Sequence, residues 1–353
     1  MGYIGQVSNR YAYSATRVKA MESELIEPAM MKDIMQAKDA SSILSLLSQT
    51  SYKKELEQFG GIKISSDMID FALSKNLALN VSKLITITPM EDKSITRAIV
   101  GKWDIYNIEL AIDAKSSKKS FEEIAKYIID YGPYNADVIK DALREASVDG
   151  LISKLSINSP YREILAEALD EFKKSGDALK ANMLIDRLYY QKLGSLMPKI
   201  KELSPEAATI IKLEIDMKNM LNLIRGKRYA LKFNEISEGL IKNGSLSIEE
   251  LQSIYENAKN EDDVAKNAKV FDLSNEVEIY KKERRLFVFE IGMRNQILSK
   301  GIKMLSHALL SFGAILAYAY IKDIEVLTLR IIIKSKQYAL PQDEVARMIL
   351  WKE

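Results

Sequence analysis

One helical pattern of twelve residues occurs three times in this chain: DIYNIELAIDAK at 104–115, DMKNMLNLIRGK at 216–227 and EVLTLRIIIKSK at 325–336. Each copy opens with an acid (Asp104, Asp216, Glu325), carries Asn or Thr three residues on (Asn107, Asn219, Thr328) and closes with a lysine (Lys115, Lys227, Lys336). Apolar side chains fill matched positions at helical spacing: Ile105, Met217 and Val326, then Ile108, Met220 and Leu329, then Ile112, Ile224 and Ile333. An acid in the first turn and a lysine in the last complement the helix dipole. Successive copies stand 112 and 109 residues apart. Repetition at that period confines the chain to about three related helical units. Such an architecture builds surfaces rather than one asymmetric active site.

A second pattern shares the period. AKDASSILSLLSQTSYKKEL from Ala37 matches ASVDGLISKLSINSPYREIL from Ala146, pairing Ile43 with Ile152, Leu46 with Leu155, Tyr52 with Tyr161 and Leu56 with Leu165 at a constant offset of 109. A fainter third copy, AKNEDDVAKNA, begins at Ala258. The tripeptide Tyr-Ala-Leu follows the signature lysine in the later two copies, at 229–231 and 338–340. The division expected from these repeats is 1–145, 146–257 and 258–353.

The fold class is all-α. Predicted helices cover 7–26, 39–47, 67–80, 93–115, 121–131, 136–144, 161–174, 177–193, 206–226, 235–242, 248–257, 276–300, 303–320, 324–336 and 342–351. Ser65 or Ser66 and Asn234 are the expected N-caps of two of them. The only strand-like stretch, 62–65, is too short to change the class. With 15 Gly and 7 Pro in 353 residues the connections are short. The longest apolar stretch, ALLSFGAILAYAYI at 308–321, is followed at once by Lys322 and Asp323. It falls short of the roughly 18–20 residues that span a bilayer, so a buried helix packed through Gly313, Ala314, Ala317 and Ala319 is expected.

Composition removes several function classes. Lys+Arg (51) and Asp+Glu (49) nearly cancel, which argues against a nucleic acid or an anionic surface as main partner. There is no cysteine and a single histidine, His307, so disulfides, thiolate metal sites and multi-histidine metal sites are excluded. No phosphate-binding glycine loop, dinucleotide fingerprint or nucleophile elbow occurs. The acidic spots Glu249-Glu250 and Glu261-Asp262-Asp263 lack calcium-loop spacing and sit at helix starts. Lys281-Lys282-Glu283-Arg284-Arg285 reads as a solvated or salt-bridged helix face. Arg187, Tyr189 and Tyr190 read as packing, and His307 as a buried or helix-start histidine with one satisfied hydrogen bond. The N-terminus lacks a signal-peptide pattern, Gln6 breaks the myristoylation motif after Gly2, and the sequons at Asn80 and Asn243 are chance matches on that reading.

The segments YAYSATRVKAMESELI, WDIYNIELAIDAK, LIDRLYYQKL, EIDMKNMLNLIRGK and GAILAYAYIKDIEVLTLRIIIKSKQYALPQDEV together resemble the C subunit of archaeal A-type ATP synthases, the relative of the d subunit of V-type ATPases, over essentially the whole chain. The family pattern Glu-Ile-x-Asn-Ile-Arg reads here Glu325, Val326, Leu327, Thr328, Leu329, Arg330, with Thr328 in place of Asn.

The resemblance implies three pseudo-symmetric helical units forming a funnel with a central cavity. That funnel sits on the cytoplasmic face of the membrane proteolipid ring, peripheral and without a transmembrane segment, with the D and F subunits of the central shaft in its mouth. It implies a non-catalytic rotor adapter that takes no cofactor, metal or nucleotide. On this reading the nine signature residues named above maintain the repeat, with Asn107 and Asn219 bonding backbone between helices. Arg285, Arg294, Lys300 and Arg330 are the candidate contacts to shaft or ring. Two rivals are a stand-alone helical scaffold, whose arrays have shorter periods of ~34–47 residues, and an enzyme with paired carboxylates.

Overall fold

The three signature copies lie on helices Lys102–Ser116, Pro205–Arg228 and Phe312–Gln337. The computed structural model describes residues 10–59, 65–307 and 310–350, and every regular element among them is a helix. The expected residues 7–9, 62–64, 308–309 and 351 lie outside the described residues.

All three signature helices stop in the same way. Lys118, Ala230 and Ala339 take left-handed backbone, with φ of 57°, 52° and 50°. The next N–H then returns to the carbonyl five residues back: Lys119 to Ala114 (2.8 Å), Leu231 to Gly226 (2.9 Å) and Leu340 to Ser335 (2.9 Å). This closure satisfies carbonyls that a helix end otherwise leaves bare. The Tyr-Ala-Leu tripeptide is therefore a helix stop, its Ala the left-handed residue and its Leu the closing donor.

A new helix starts three residues after each left-handed position: Phe121–Ile124 after Ser120, Phe233–Ser237 after Lys232, and Gln342–Met348 after Pro341. Glu123 and Glu235 reach back to accept from the Ser120 and Lys232 N–H groups, each at 2.7 Å. Pro341 has no N–H to give. The matching carboxylate, Glu344, accepts instead from Arg285.

The second motif also recurs as local chemistry. Asp39, Ser147 and Asn260 cap helices Ala40–Leu47, Val148–Leu155 and Glu261–Asn267 by accepting from the N–H three residues on. Counted from these caps, Ile43 and Leu47 correspond to Leu151 and Leu155, one residue off the offset of 109. The register is restored by Tyr52 and Tyr161, which precede helices Lys53–Glu57 and Arg162–Ser175. Leu273 holds their place before Ser274–Glu283.

Several helix limits differ from the sequence expectation. The helix expected over 93–115 breaks at Gly101 into Lys93–Val100 and Lys102–Ser116. The Tyr161 hydroxyl occupies the space a Cβ at Gly101 would need. The helix expected over 276–300 breaks at Arg284, which takes φ 55° and closes on the Tyr280 carbonyl. The turn lets the Tyr280 and Phe289 rings meet at 4.9 Å. Conversely, Phe312–Gln337 is one helix where two were expected, since nothing between Tyr320 and Ile324 interrupts its hydrogen bonding. The helices expected over 121–131 and 235–242 shorten to Phe121–Ile124, followed by a 3-10 turn at Ala125–Tyr127, and to Phe233–Ser237. His307 is exposed at a helix C-terminus rather than buried or at a helix start, its Nδ1 2.7 Å from the Lys303 carbonyl oxygen.

The chain divides into two compact units. One comprises 1–11, 190–324 and 341–353. In it Pro205–Arg228 packs along Phe287–His307 and against Met197–Leu203 and Glu261–Asn267. Its apolar run packs closely through small residues: Ala314, Ala317 and Ala319 are buried, and a Cβ at Gly313 would stand 2.8 Å from the Ser204 hydroxyl. The other unit comprises 12–189 and 325–340. There Ser66–Ile87 meets Ala12–Glu22, Lys53–Glu57, Lys93–Val100 and Ala125–Tyr127, while Lys102–Ser116 meets Val148–Leu155. Among the described residues no helix is long and apolar enough to cross a membrane.

A left-handed conformation strains alanine but not glycine. Ala230→Gly and Ala339→Gly should each raise stability by about 0.5–1 kcal/mol, measured as a higher urea midpoint at unchanged slope.

Candidate functional site

The signature amides hold backbone. Asn107 donates through Nδ2 to the Ile129 carbonyl (2.8 Å) and the Tyr134 carbonyl (3.0 Å), and its Oδ1 accepts from the Ile129 N–H (3.0 Å). Asn219 does the same to Ile241, donating to its carbonyl and accepting from its N–H, both at 2.8 Å. Each amide thus reads both polar groups of the residue 22 positions on, and both amides are buried. Only a side chain carrying a donor and an acceptor can satisfy such a pair at once. Thr328 is buried too, but its hydroxyl has no hydrogen-bond partner among the described residues. Threonine is shorter than asparagine and offers one oxygen where the clamp needs a fork.

The signature acids are also buried and differ in how they are satisfied. Asp216 accepts the Ser245 N–H on both oxygens (2.9 Å each) and the Leu246 N–H on one (3.2 Å). Gly244 leaves the space: a Cβ there would collide with the carboxylate. Burial still raises the Asp216 pKa, against the opposing effect of those N–H groups. Glu325 accepts from the Ile26 N–H (2.6 Å) and the Tyr52 hydroxyl (2.8 Å). Asp104 accepts from the Tyr161 hydroxyl at 3.1 Å, while its other oxygen has no hydrogen-bond partner among the described residues. The first-copy residue that matches Ser245 is Pro133, which has no N–H. Burial, opposed by the Tyr161 and Tyr131 hydroxyls, pushes Asp104 up to about 7.

Two of these bonds join different blocks of sequence. Tyr161, from the second block, clasps the acid of the first; Tyr52, from the first, clasps the acid of the third across 273 residues. Leu273 stands at the tyrosine position that would serve Asp216, and backbone N–H groups take over there. The lysines diverge. Lys115 donates to the Leu143 carbonyl (3.1 Å), Lys227 lies 4.2 Å from the Tyr255 ring centre, and Lys336 is half-buried.

The four candidate contact residues do not form one cluster. Arg330 belongs to the unit containing 12–189, where it donates to the Ser74 hydroxyl (2.5 Å) and approaches the buried Asp70 carboxylate (3.9 Å). Lys334 pairs with the same Asp70 at 3.1 Å. The other three lie in the other unit: Arg285 binds Glu344, Arg294 binds Glu290 at 2.9 Å, and Lys300 is exposed. Nothing in the sequence singles out Asp70 and Ser74, because only the fold brings them to Arg330. Gly132 and Gly244 do carry a signal, since their spacing of 112 is the repeat period. Among the described residues no group of three or more His, Cys, Asp or Glu could hold a metal ion. The buried acids and amides bind the protein's own backbone and hydroxyls, so their chemistry here is positioning.

A helix pattern that recurs three times, stopped in the same way in each copy and clamped by a buried amide in two, defines an all-helical protein whose polar core serves its scaffold. A family model described as "ATP synthase (C/AC39) subunit" matches residues 14–348, and the chain belongs to that family. It is 28% identical to the A-type ATP synthase C subunit of Archaeoglobus fulgidus, over 96% of both chains. It is 26% identical to that of Thermococcus kodakarensis, over 92% of this chain and 86% of the relative. It is 21% identical to that of Thermoplasma acidophilum, over 98% of this chain and 99% of the relative.

Asn107→Ala or Asn219→Ala strands a buried N–H and carbonyl together and should each cost about 2–4 kcal/mol in chemical denaturation. Asp104 keeps its proton to about 7 when folded but loses it near 3.8 when unfolded. The folded state therefore binds more protons between those values, and stability falls as pH rises through that window. Asp104→Asn should remove this share of the slope, so that the stability difference between variant and wild type grows from pH 4 to 7 and then levels off.

Proposed function

We propose that this chain is the C subunit of an A-type rotary ATP synthase, a non-catalytic adapter between the membrane proteolipid ring and the central shaft built from the D and F subunits. The observation that carries the reading is the family match over 14–348, together with relatives named as the C subunit of A-type ATP synthases that are covered nearly end to end. In this reading three pseudo-symmetric units, 1–145, 146–257 and 258–353, form a funnel with a central cavity. It sits on the cytoplasmic face of the ring.

The local chemistry suits the task. A part that passes torque must resist deformation, which close packing of its helices provides and directional hydrogen bonds between them reinforce. Asn107, Asn219 and the three signature acids supply such bonds at matched places along the chain. Near-balanced charge, 51 basic against 49 acidic residues, fits several protein partners better than one polyanion. Of the four candidate contacts, Arg285 and Lys300 are exposed, Arg285 being paired with Glu344, and Arg330 is engaged within its own unit.

The test is co-purification of the tagged full chain with detergent-solubilised proteolipid ring and with the D–F shaft. Recovery of both by the folded chain is expected. Recovery of neither, from protein shown helical by circular dichroism, would remove the adapter reading. Lys300→Glu should weaken capture of one partner several-fold at unchanged melting temperature, whereas Arg330→Glu should lower the melting temperature itself.

A further inference from the structure

The unit containing 12–189 is completed by 325–340, a segment from the far end of the chain. Its buried Val326, Leu329, Ile332 and Ile333 pack it in place, and four polar contacts tie it. Glu325 accepts from the Ile26 N–H and the Tyr52 hydroxyl, Arg330 donates to the Ser74 hydroxyl, and Lys334 pairs with Asp70. The first signature helix shares the tyrosine bond, Asp104 accepting from Tyr161 as Glu325 does from Tyr52, but where Lys334 pairs with Asp70 its counterpart Asp113 accepts from the neutral amide of Asn182 at 2.7 Å. At that position one joint is tied by an ion pair and the other by a neutral donor.

The ion-paired joint is poorly matched. Asp70 is fully buried, yet among the described residues neither of its oxygens has a well-aligned hydrogen bond and the Arg330 Nε has no acceptor. Two cations share one carboxylate, and both also lie beside the Tyr127 ring, at 5.8 Å for Arg330 and 5.7 Å for Lys334. Taking such charges out of water is repaid only when the geometry is good. Lys126, the other cation on that 3-10 turn, is already paired with Asp67 at 2.7 Å.

We propose that 325–340 is a strap that undocks from 12–189 as a unit while the rest of that unit stays folded, with the Asp70–Arg330–Lys334 cluster as its latch. The strap stands independently of the rotor reading. On that reading it is where the body would open to admit a partner and close on it.

The chain has no cysteine, so one introduced thiol reports opening without background. Ser335 is 1% exposed on the strap, and Ala114, also 1% exposed, is its counterpart in the first signature helix. Labelling of native Ser335→Cys by a soluble disulfide reagent is expected to run at least tenfold faster than that of Ala114→Cys. Adding Asp70→Asn should speed labelling at 335 a further tenfold and leave 114 unchanged. Tyr52→Phe, which drops one bond to Glu325 and keeps the ring, should act in the same direction by a smaller factor, a check that survives should Asp70→Asn fail to fold. Equal labelling of both thiols at the global unfolding rate would overturn the strap. Equal acceleration at both positions by either substitution would overturn the latch.

Discussion

The rest of the structure hangs on a buried side-chain amide that satisfies the N–H and the carbonyl of one residue at once. Asn107 does this for Ile129 and Asn219 for Ile241. After each signature helix the chain makes a left-handed stop, a short capped helix and then an irregular stretch. That stretch has few backbone bonds of its own, and buried backbone without partners is costly. The amide anchors it to the helix it has just left, and this fixes where the following block begins. In the third copy Thr328 leaves the anchor unmade, and the C-terminal helix is tied by side chains instead, through Arg285 to Glu344 and Arg347 to Glu283.

The acids show how one repeat position can keep its burial while changing its donors. Asp216 takes backbone N–H groups, Glu325 takes one N–H and one hydroxyl, and Asp104 has one tyrosine hydroxyl and an unmatched oxygen. A single substitution in the first loop, Pro133 for the serine of the second, accounts for the difference. The same logic runs through the short helices, where Pro341 removes the N–H that Ser120 and Lys232 offer and frees Glu344 for another partner. Loss of one local donor turns a local bond into a long-range one.

Much of the fold was legible in the sequence because it rests on local chemistry. Helix type follows from apolar spacing; of the expected N-caps, Ser65 stands before Ser66–Ile87, whereas Asn234 falls inside Phe233–Ser237, whose N-cap is Lys232. The failures have physical causes. Arg284 breaks a helix without glycine, because the ring contact of Tyr280 with Phe289 stabilises a left-handed residue that its own preference opposes. Gly101 interrupts another because a tyrosine hydroxyl from 60 residues on needs the room. Of the candidate site, the signature residues could be named from their recurrence, but Asp70 and Ser74 could not, since nothing near them in sequence marks their partners.

By itself the sequence determined that this protein is helical, that one helix recurs three times, and that its stops and starts fall at matched places. Those properties depend on residues within a turn or two of each other. Tertiary structure decided which tyrosine meets which acid, that residues 325–340 complete the unit built from 12–189, and that Arg330 turns inward to Asp70 and Ser74. Such contacts join positions as much as 299 residues apart. Their strength comes from burial and from the exact count of donors and acceptors in the folded chain, which the order of residues does not reveal.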